Sequence, residues 1–292
     1  TAPAQELCRG LASRGPGLTA ALYSPGPMRI HALSTGTVAV KHSFLFAPTG
    51  PRRQLGLFLP SPWSDPLPVH CWAIEHDGRL LLVDTGETAG VHDIPFARFD
   101  VSAEQELPGA LEAAGLSLDA VDTVVLTHMH GDHMDGAVHL RGPVLVHEAE
   151  LAFTKTPGAR FFQRVLRQPV PAGVDFQPFA LDGGPFGAFP RSRPLTDDGR
   201  IVAVDTAGHT PGHVSVVCVD DEGRHVLLAG DATDTLEQLR ARRADAVCPK
   251  PSVSIATIDR IIAHGRTHPT VYLPSHDPES VARLAAGTTL PG

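Results

Sequence analysis

No stretch of this 292-residue chain approaches the roughly 18 consecutive apolar residues that a bilayer-spanning helix needs, so a membrane protein is not expected. Residues 1–27 hold only short apolar pieces bracketed by Gly15-Pro16-Gly17 and Pro25-Gly26-Pro27. They lack the long apolar centre of a secretory signal. Basic charge is also short. Lys and Arg number 24 against 32 Asp and Glu, a formal charge of −8, which argues against a phosphate-backbone partner and therefore against nucleases. The four cysteines form no CxxC pair, and Cys71 and Cys218 lie within apolar runs. Buried free thiols and a reducing cytoplasm are expected, not a disulfide framework. Tyrosine occurs only at positions 23 and 272, and no internal repeat is visible.

Hydrophobic residues make up 42% of the chain and charged residues 19%, enough apolar material for a substantial core. Residues 1–27 read as an N-terminal extension, and 28–292 as one domain opening with the strand-like Met28-Arg29-Ile30. Apolar runs predict strands over 30–40, 69–75, 79–84, 121–127, 143–146, 201–204, 214–219, 226–228 and 271–273. Helical periodicity falls over 103–114, 133–140, 148–153, 159–166, 236–243, 252–264 and 278–286. Several strands are too uniformly apolar for a sheet wetted on one face, so an α/β class with covered sheets is expected. Residues 152–196 differ in being rich in Phe and Pro. They read as an insert that caps an active site or forms a contact in a homodimer.

The most informative stretch is His128-Met129-His130-Gly131-Asp132-His133, directly after the run 121–127. His128 and His130 project to the same side of an extended segment, whereas Asp132 and His133 follow where the chain bends. One loop can thereby serve two neighbouring ions, and imidazole with carboxylate suits zinc, or iron or manganese. Three further apolar runs end in ligand-type residues: 201–204 before His209 and His213, 227–230 before Asp231, and 271–273 before His276.

This ordered set, HxHxDH followed by His, Asp and a last His, resembles the metallo-β-lactamase superfamily from about Arg29 onward, with Leu82-Val83-Asp84-Thr85-Gly86 matching its early strand-turn motif. His209 and Asp231 are 22 positions apart and Asp231 and His276 are 45 apart, a spacing similar to the N-acyl homoserine lactonase branch. The resemblance implies a four-layer αββα sandwich of two mixed β-sheets. It also implies two Zn²⁺ per chain: His128, His130 and His209 on one ion, Asp132, His133 and His276 on the other, and Asp231 bridging. Asp132 and Asp231 would then be catalytic as well as ligating, and Asp84 would support the ligand loop from outside. His213 is the rival of His209 and is read as opening the next strand.

One position departs from the branch. Lactonases of this type usually carry a tyrosine three residues after the bridging Asp, where this chain has Asp234. Asp234 is expected to cap the following helix, with a place in the substrate pocket as the alternative. Phe161 and Phe162 are expected to wall that pocket against the apolar portion of a small-molecule substrate. The resemblance therefore implies a dinuclear zinc hydrolase of a lactone or carboxylic ester. The alternatives are a hydrolase of aryl esters, organophosphates, β-lactams or thioesters, and an iron oxidoreductase on the same scaffold.

Overall fold

Uniformly apolar strands need cover on both faces, and the fold supplies it. The structure, a computed structural model, describes residues 22–23, 28–47 and 53–290. The proposed extension 1–27 lies outside them except for Leu22–Tyr23. The first sheet contains β1 (Leu22–Tyr23), β2 (Arg29–Val40), β3 (Leu67–His76), β4 (Arg79–Val83), β5 (Ala97–Asp100), β6 (Val121–Val125), β7 (Val144–His147) and β8 (Phe176–Phe179). Its order is β1-β2-β3-β4-β6-β7-β8, with β5 also paired to β2. The second contains β9 (Ser192–Pro194), β10 (Ile201–Asp205), β11 (Val214–Val219), β12 (His225–Gly230) and β13 (Thr270–Pro274), in the order β13-β12-β11-β10-β9. Both are mixed: β4, β6, β7 and β8 run parallel, as do β12 and β13, while the remaining neighbours are antiparallel.

Side-chain alternation sorts these strands into layers. Trp72, Ile74, Leu81 and Val83 of the first sheet meet Ala203, Val216, Leu228 and Leu273 of the second in a central core. Their neighbours Cys71, Ala73, Leu80 and Leu82 point the other way, onto Leu107, Ala110 and Leu111 of the helix Leu107–Ala113. Val202, Val217, Leu227 and Tyr272 likewise face Leu236 and Leu239 of the helix Leu236–Ala241 and Ile258 and Ile261 of the helix Pro251–Thr267. Period-2 alternation between two buried faces explains why the runs look continuous. The result is a four-layer αββα sandwich. Asp77 and Gly78, both at positive φ, form the two-residue turn between β3 and β4.

The expected helix over 133–140 is instead a short helix, Gly131–Met134, followed by a 3-10 turn, Asp135–His139. A side chain at Gly136 would lie 2.0 Å from the Thr85 carbonyl, so the chain is pulled against the β4 turn there. Reading 152–196 as one insert also needs correction. Within it Phe176–Phe179 extends the first sheet and Ser192–Pro194 the second, so much of it completes the sandwich, while the helix Pro157–Leu166 stands on the surface. Propensity gave no hint of these strands, because they are short and carry Pro178 and Pro194. Along β13 the carbonyls of Thr270, Tyr272 and Pro274 are taken by Leu290 N, Arg283 Nε and Ser280 Oγ. No helix among the described residues is long and apolar enough to cross a membrane.

Candidate metal centre

The ligand-type residues meet at one end of the sandwich, where strands of both sheets finish. After β6 the chain runs on through Thr127, whose carbonyl accepts the Val214 N–H of the second sheet at 2.9 Å. From there the loop presents His128 Nε2 and His130 Nδ1, 3.0 Å apart, and His209 Nε2 lies 2.9 Å from the same His130 atom. These three can share one ion; Asp132, His133 and His276 form a second such group. Asp231 lies between the two. Its Oδ2 is 3.5 Å from His209 Nε2 and 3.9 Å from His128 Nε2, whereas Oδ1 is 3.3 Å from His133 Nε2 and 3.4 Å from His276 Nε2. All seven are buried or nearly so.

Gly230 makes this placement possible. It sits at φ +56°, and a Cβ there would lie within 3 Å of both the Thr127 hydroxyl and His213 Nε2. His213 therefore stays behind the site. Its Nε2 accepts the Asp231 backbone N–H at 3.0 Å, and its Nδ1 meets the Thr206 hydroxyl at 2.9 Å. Of the two histidines in His209-Thr210-Pro211-Gly212-His213, His209 faces the cluster and His213 orients the carboxylate opposite.

His133, His276 and His209 are fixed through their other nitrogens. His133 Nδ1 donates to Asp84 Oδ2 at 2.8 Å, and Asp84 also accepts from the Thr127 N–H and hydroxyl. His276 Nδ1 donates to the Pro68 carbonyl at 2.9 Å. His209 Nδ1 is held by Asp245 at 3.1 Å, a residue that no motif in the sequence singled out. Glu150 was equally invisible. Its carboxylate accepts the Met129 and Gly212 N–H groups, tying the loops that carry His130 and His209. Outer partners of this kind set tautomer and ring direction. Asp84→Ala should therefore lower zinc affinity by roughly 10–100-fold, measured by competition against a chelator. Unchanged affinity would leave Asp84 as a turn residue only.

The electrostatics suit cations. Burial drives His128 well below its ordinary pKa, and burial together with His209 brings His130 to about 4. For His209 and His276 burial works in the same direction but is outweighed, chiefly by Asp245 and by Asp231 respectively, and both rise to about 9. His133 is also raised, by Asp231 and Asp84 against the effect of burial. His133 Nε2 and Asp231 Oδ1 are nevertheless buried without a hydrogen-bond partner. Orphaned atoms of opposite kind, aimed at one point, are what a donor set for an ion pair leaves behind when considered alone; the residues fit such a group. Ions must displace the protons on His209 and His276. Zinc affinity should therefore climb as pH rises from about 6 to 9, with proton release visible by calorimetry in buffers of different ionisation enthalpy. Affinity flat across that range would contradict the protonated, metal-free network.

Above the cluster opens a cavity of about 420 Å³, walled by Phe44, Phe58, Phe96, Phe153, Phe162 and Leu166, with His130, Asp132, His209, Asp231, Asp234 and His276 at its base. Two expectations need correction here. Phe161 does not line this cavity; it is 62% exposed and packs edge-on against Phe162, which sits at the rim. The two are adjacent on a helix and cannot face the same way. Asp234 does not cap the helix Leu236–Ala241. Thr235 does so, in a reciprocal pair with Gln238. The Asp234 carboxyl is buried, lines the cavity, and leaves Oδ2 without a partner. Burial, then Asp231 and Asp245, push it up to about 7. Tyr272 is buried in the opposite core with its hydroxyl on Thr233.

Over residues 64–276 the sequence matches the profile of the metallo-beta-lactamase superfamily. The N-acyl homoserine lactonase AttM of Rhizobium radiobacter is 24% identical over 236 residues, covering 75% of this chain and 85% of that protein. An N-acyl homoserine lactone hydrolase with N-hexanoyl-L-homoserine at its catalytic metal centre has a similar structure. Its TM-score is 0.66 at 19% identity, over 90% of this chain and 95% of that one. AidC, a dizinc quorum-quenching lactonase, gives 0.64 at 15% identity, over 88% and 90%. With the profile spanning most of the sequence and the same four-layer fold in these neighbours, the chain belongs to the metallo-beta-lactamase superfamily.

Proposed function

We propose that this protein is a dinuclear zinc hydrolase that opens a lactone or carboxylic ester, with N-acyl homoserine lactones the first substrates to try. The observation that carries this reading is Asp231, with one carboxylate oxygen turned to each of two ligand triads. Neutral imidazole and carboxylate donors favour zinc, with iron or manganese as substitutes. His128, His130 and His209 would hold one ion, and Asp132, His133 and His276 the other. Bound there, an ion pair supplies a water nucleophile at neutral pH and Lewis-acid polarisation of a carbonyl.

The chain's own residues do the rest. Asp132 and Asp231 balance the charge of the centre, and the apolar cavity takes the acyl portion and excludes bulk water. Asp234, at the sequence position where the lactonase branch carries a tyrosine, lines this cavity with an unpartnered Oδ2. Quorum quenching in a bacterial cytoplasm is the role such an activity would serve, and the buried thiols Cys71, Cys218 and Cys248 suit that compartment. A second reading, hydrolysis of aryl esters or phosphotriesters by the same centre, is favoured by one observation: a carboxyl stands where the phenol is expected.

The deciding experiment is elemental analysis of the purified protein followed by assay of lactones, aryl esters, phosphotriesters and β-lactams. Two ions per chain and preferential lactone opening are expected. A single ion, with Asp132 and His276 free of metal, would sink the dinuclear centre. The rim gives a finer test. Phe162→Ala should raise KM for long acyl chains by roughly tenfold, equivalent to about 1.4 kcal/mol, and Phe161→Ala should leave it nearly unchanged. Equal effects of the two substitutions would remove Phe162 from the pocket wall.

A further inference from the structure

A second set of histidines lies at the far end of the second sheet. His225 opens β12, the strand that ends beside Asp231, so at roughly 3.3 Å per residue it stands about 20 Å from the site described above. His264 and His268, four residues apart at the C-terminal end of the helix Pro251–Thr267, turn towards it. We propose that His225, His264 and His268 form a separate site for one divalent transition-metal ion of the zinc or copper class. This inference does not depend on the proposed hydrolase activity.

The nitrogen spacing matches that of the first centre, but the rings do not: His225, His264 and His268 lie at 17–41° to one another, where His128, His130 and His209 stand edge-on at 76–84°. His225 Nδ1 and His264 Nε2 are 2.8 Å apart, close to the 2.9 and 3.0 Å between the imidazole nitrogens that converge around His130. Zinc–nitrogen bonds of 2.0–2.1 Å place neighbouring tetrahedral donors roughly 3.3 Å apart, so an ion enters when the pair spreads slightly and the half-buried His268 ring turns out of its stack. One donor atom from each of the three histidines lies within 4.8 Å of the others. The rings are held in place from outside. Thr267 Oγ1 is 2.9 Å from His268 Nδ1, which leaves Nε2 of that ring free for the cluster. Phe186 and Phe189 cover His264. Between them, a Cβ at Gly187 would lie 2.3 Å from His264 Nδ1, so only glycine lets this loop close over the ring.

The chemistry agrees. No carboxylate belongs to the triad, and burial followed by the neighbouring imidazoles holds His225 and His264 near 4. Their lone pairs are available at neutral pH, and the negative end of the helix dipole favours a cation. Without metal, the short contact is a hydrogen bond between His264 and His225. An ion on His264 Nε2 replaces that proton and moves the ring proton to Nδ1. The contact displaced there, from the Ala188 N–H at 3.4 Å, is long and costs little.

The test uses the full chain, stripped with a chelator and reloaded with excess Zn²⁺, as wild type and as His225→Gln and His268→Gln. Each variant should hold one ion fewer than wild type by elemental analysis, at unchanged helix content. His268 is half-buried, so its replacement keeps the experiment open if His225→Gln does not fold. In a second arm, Cu²⁺ is added to wild-type protein whose first centre is already filled with zinc. It should give an electron paramagnetic resonance spectrum with hyperfine splitting from imidazole nitrogen, lost in either variant. Equal zinc content in wild type and folded variants, or no nitrogen-coupled copper in wild type, would overturn the proposal and leave a hydrogen-bonded histidine stack.

Discussion

Asp231→Asn should cost more than any other single substitution away from the histidines. The carboxylate turns one oxygen to each triad, with Oδ2 3.5 Å from His209 and Oδ1 3.3 Å from His133. An amide keeps the shape but offers one oxygen and no charge, so it can satisfy one triad and presents N–H groups to the other. Loss of an outer partner of a metal ligand typically costs 10–100-fold in affinity or rate, and a shared ligand should exceed roughly the upper figure. The expected result is protein with less than two ions per chain and hydrolysis down by more than about a hundredfold. Asp234→Asn, by contrast, should leave metal content intact. Near-normal turnover and metal content in Asp231→Asn would remove the bridge from the reading.

The second large effect concerns the hydroxyl that position 234 lacks. An oxyanion donor is worth about 2.7–4 kcal/mol, or roughly a hundred- to a thousandfold in rate. Tyr272 supplies none, since its hydroxyl is committed to Thr233 in the far core. Lactone hydrolysis should therefore be measurable but slow, and Asp234→Tyr should raise it towards that hundredfold. The side chain at 234 already faces the cavity, next to Asp231 and His276, and the cavity has space above its base. A fall in lactone turnover on Asp234→Tyr, with metal content kept, would show that the carboxyl itself serves the reaction. Fast cleavage of aryl esters or phosphotriesters by wild type, with no lactone opened, would move the substrate to the second reading.

Much of this architecture was legible in the chain because strong signals are local. The strand ending before His128 and the strands over 201–204, 214–219 and 271–273 stand where their apolar runs are. The seven ligand-type residues were readable because each follows such a run. What escaped reading acts at long range. Asp245 reaches His209 from 36 positions away, and Glu150 holds Met129, 21 positions before it, and Gly212, 62 positions after it. An isolated Asp or Glu carries no pattern, so nothing local distinguishes these two from solvated surface carboxylates. Asp234 misled for the opposite reason: an Asp before a helix is a good cap, but Thr235, one residue on, with Gln238 three beyond it, makes a better one. In 152–196 the short strands β8 and β9 are imposed by the sheets they complete, which outweighs the weak strand preference of their prolines.

The way the sheet margins are finished has a consequence for solubility and assembly. An open strand margin is a template on which a second chain can add and fibres can grow. Here β13 has its outward carbonyls at 270, 272 and 274 already bonded to Leu290, Arg283 and Ser280. β8 carries a proline that donates nothing, β9 is three residues long, and β1 is two. Copies of this protein therefore have no long margin among the described strands along which to zip. Among the described residues, the exposed pair Phe161 and Phe162 is the first place to test for a side-chain contact between copies. The crowded, chain-rich conditions that turn many β-proteins into aggregates should find this one resistant.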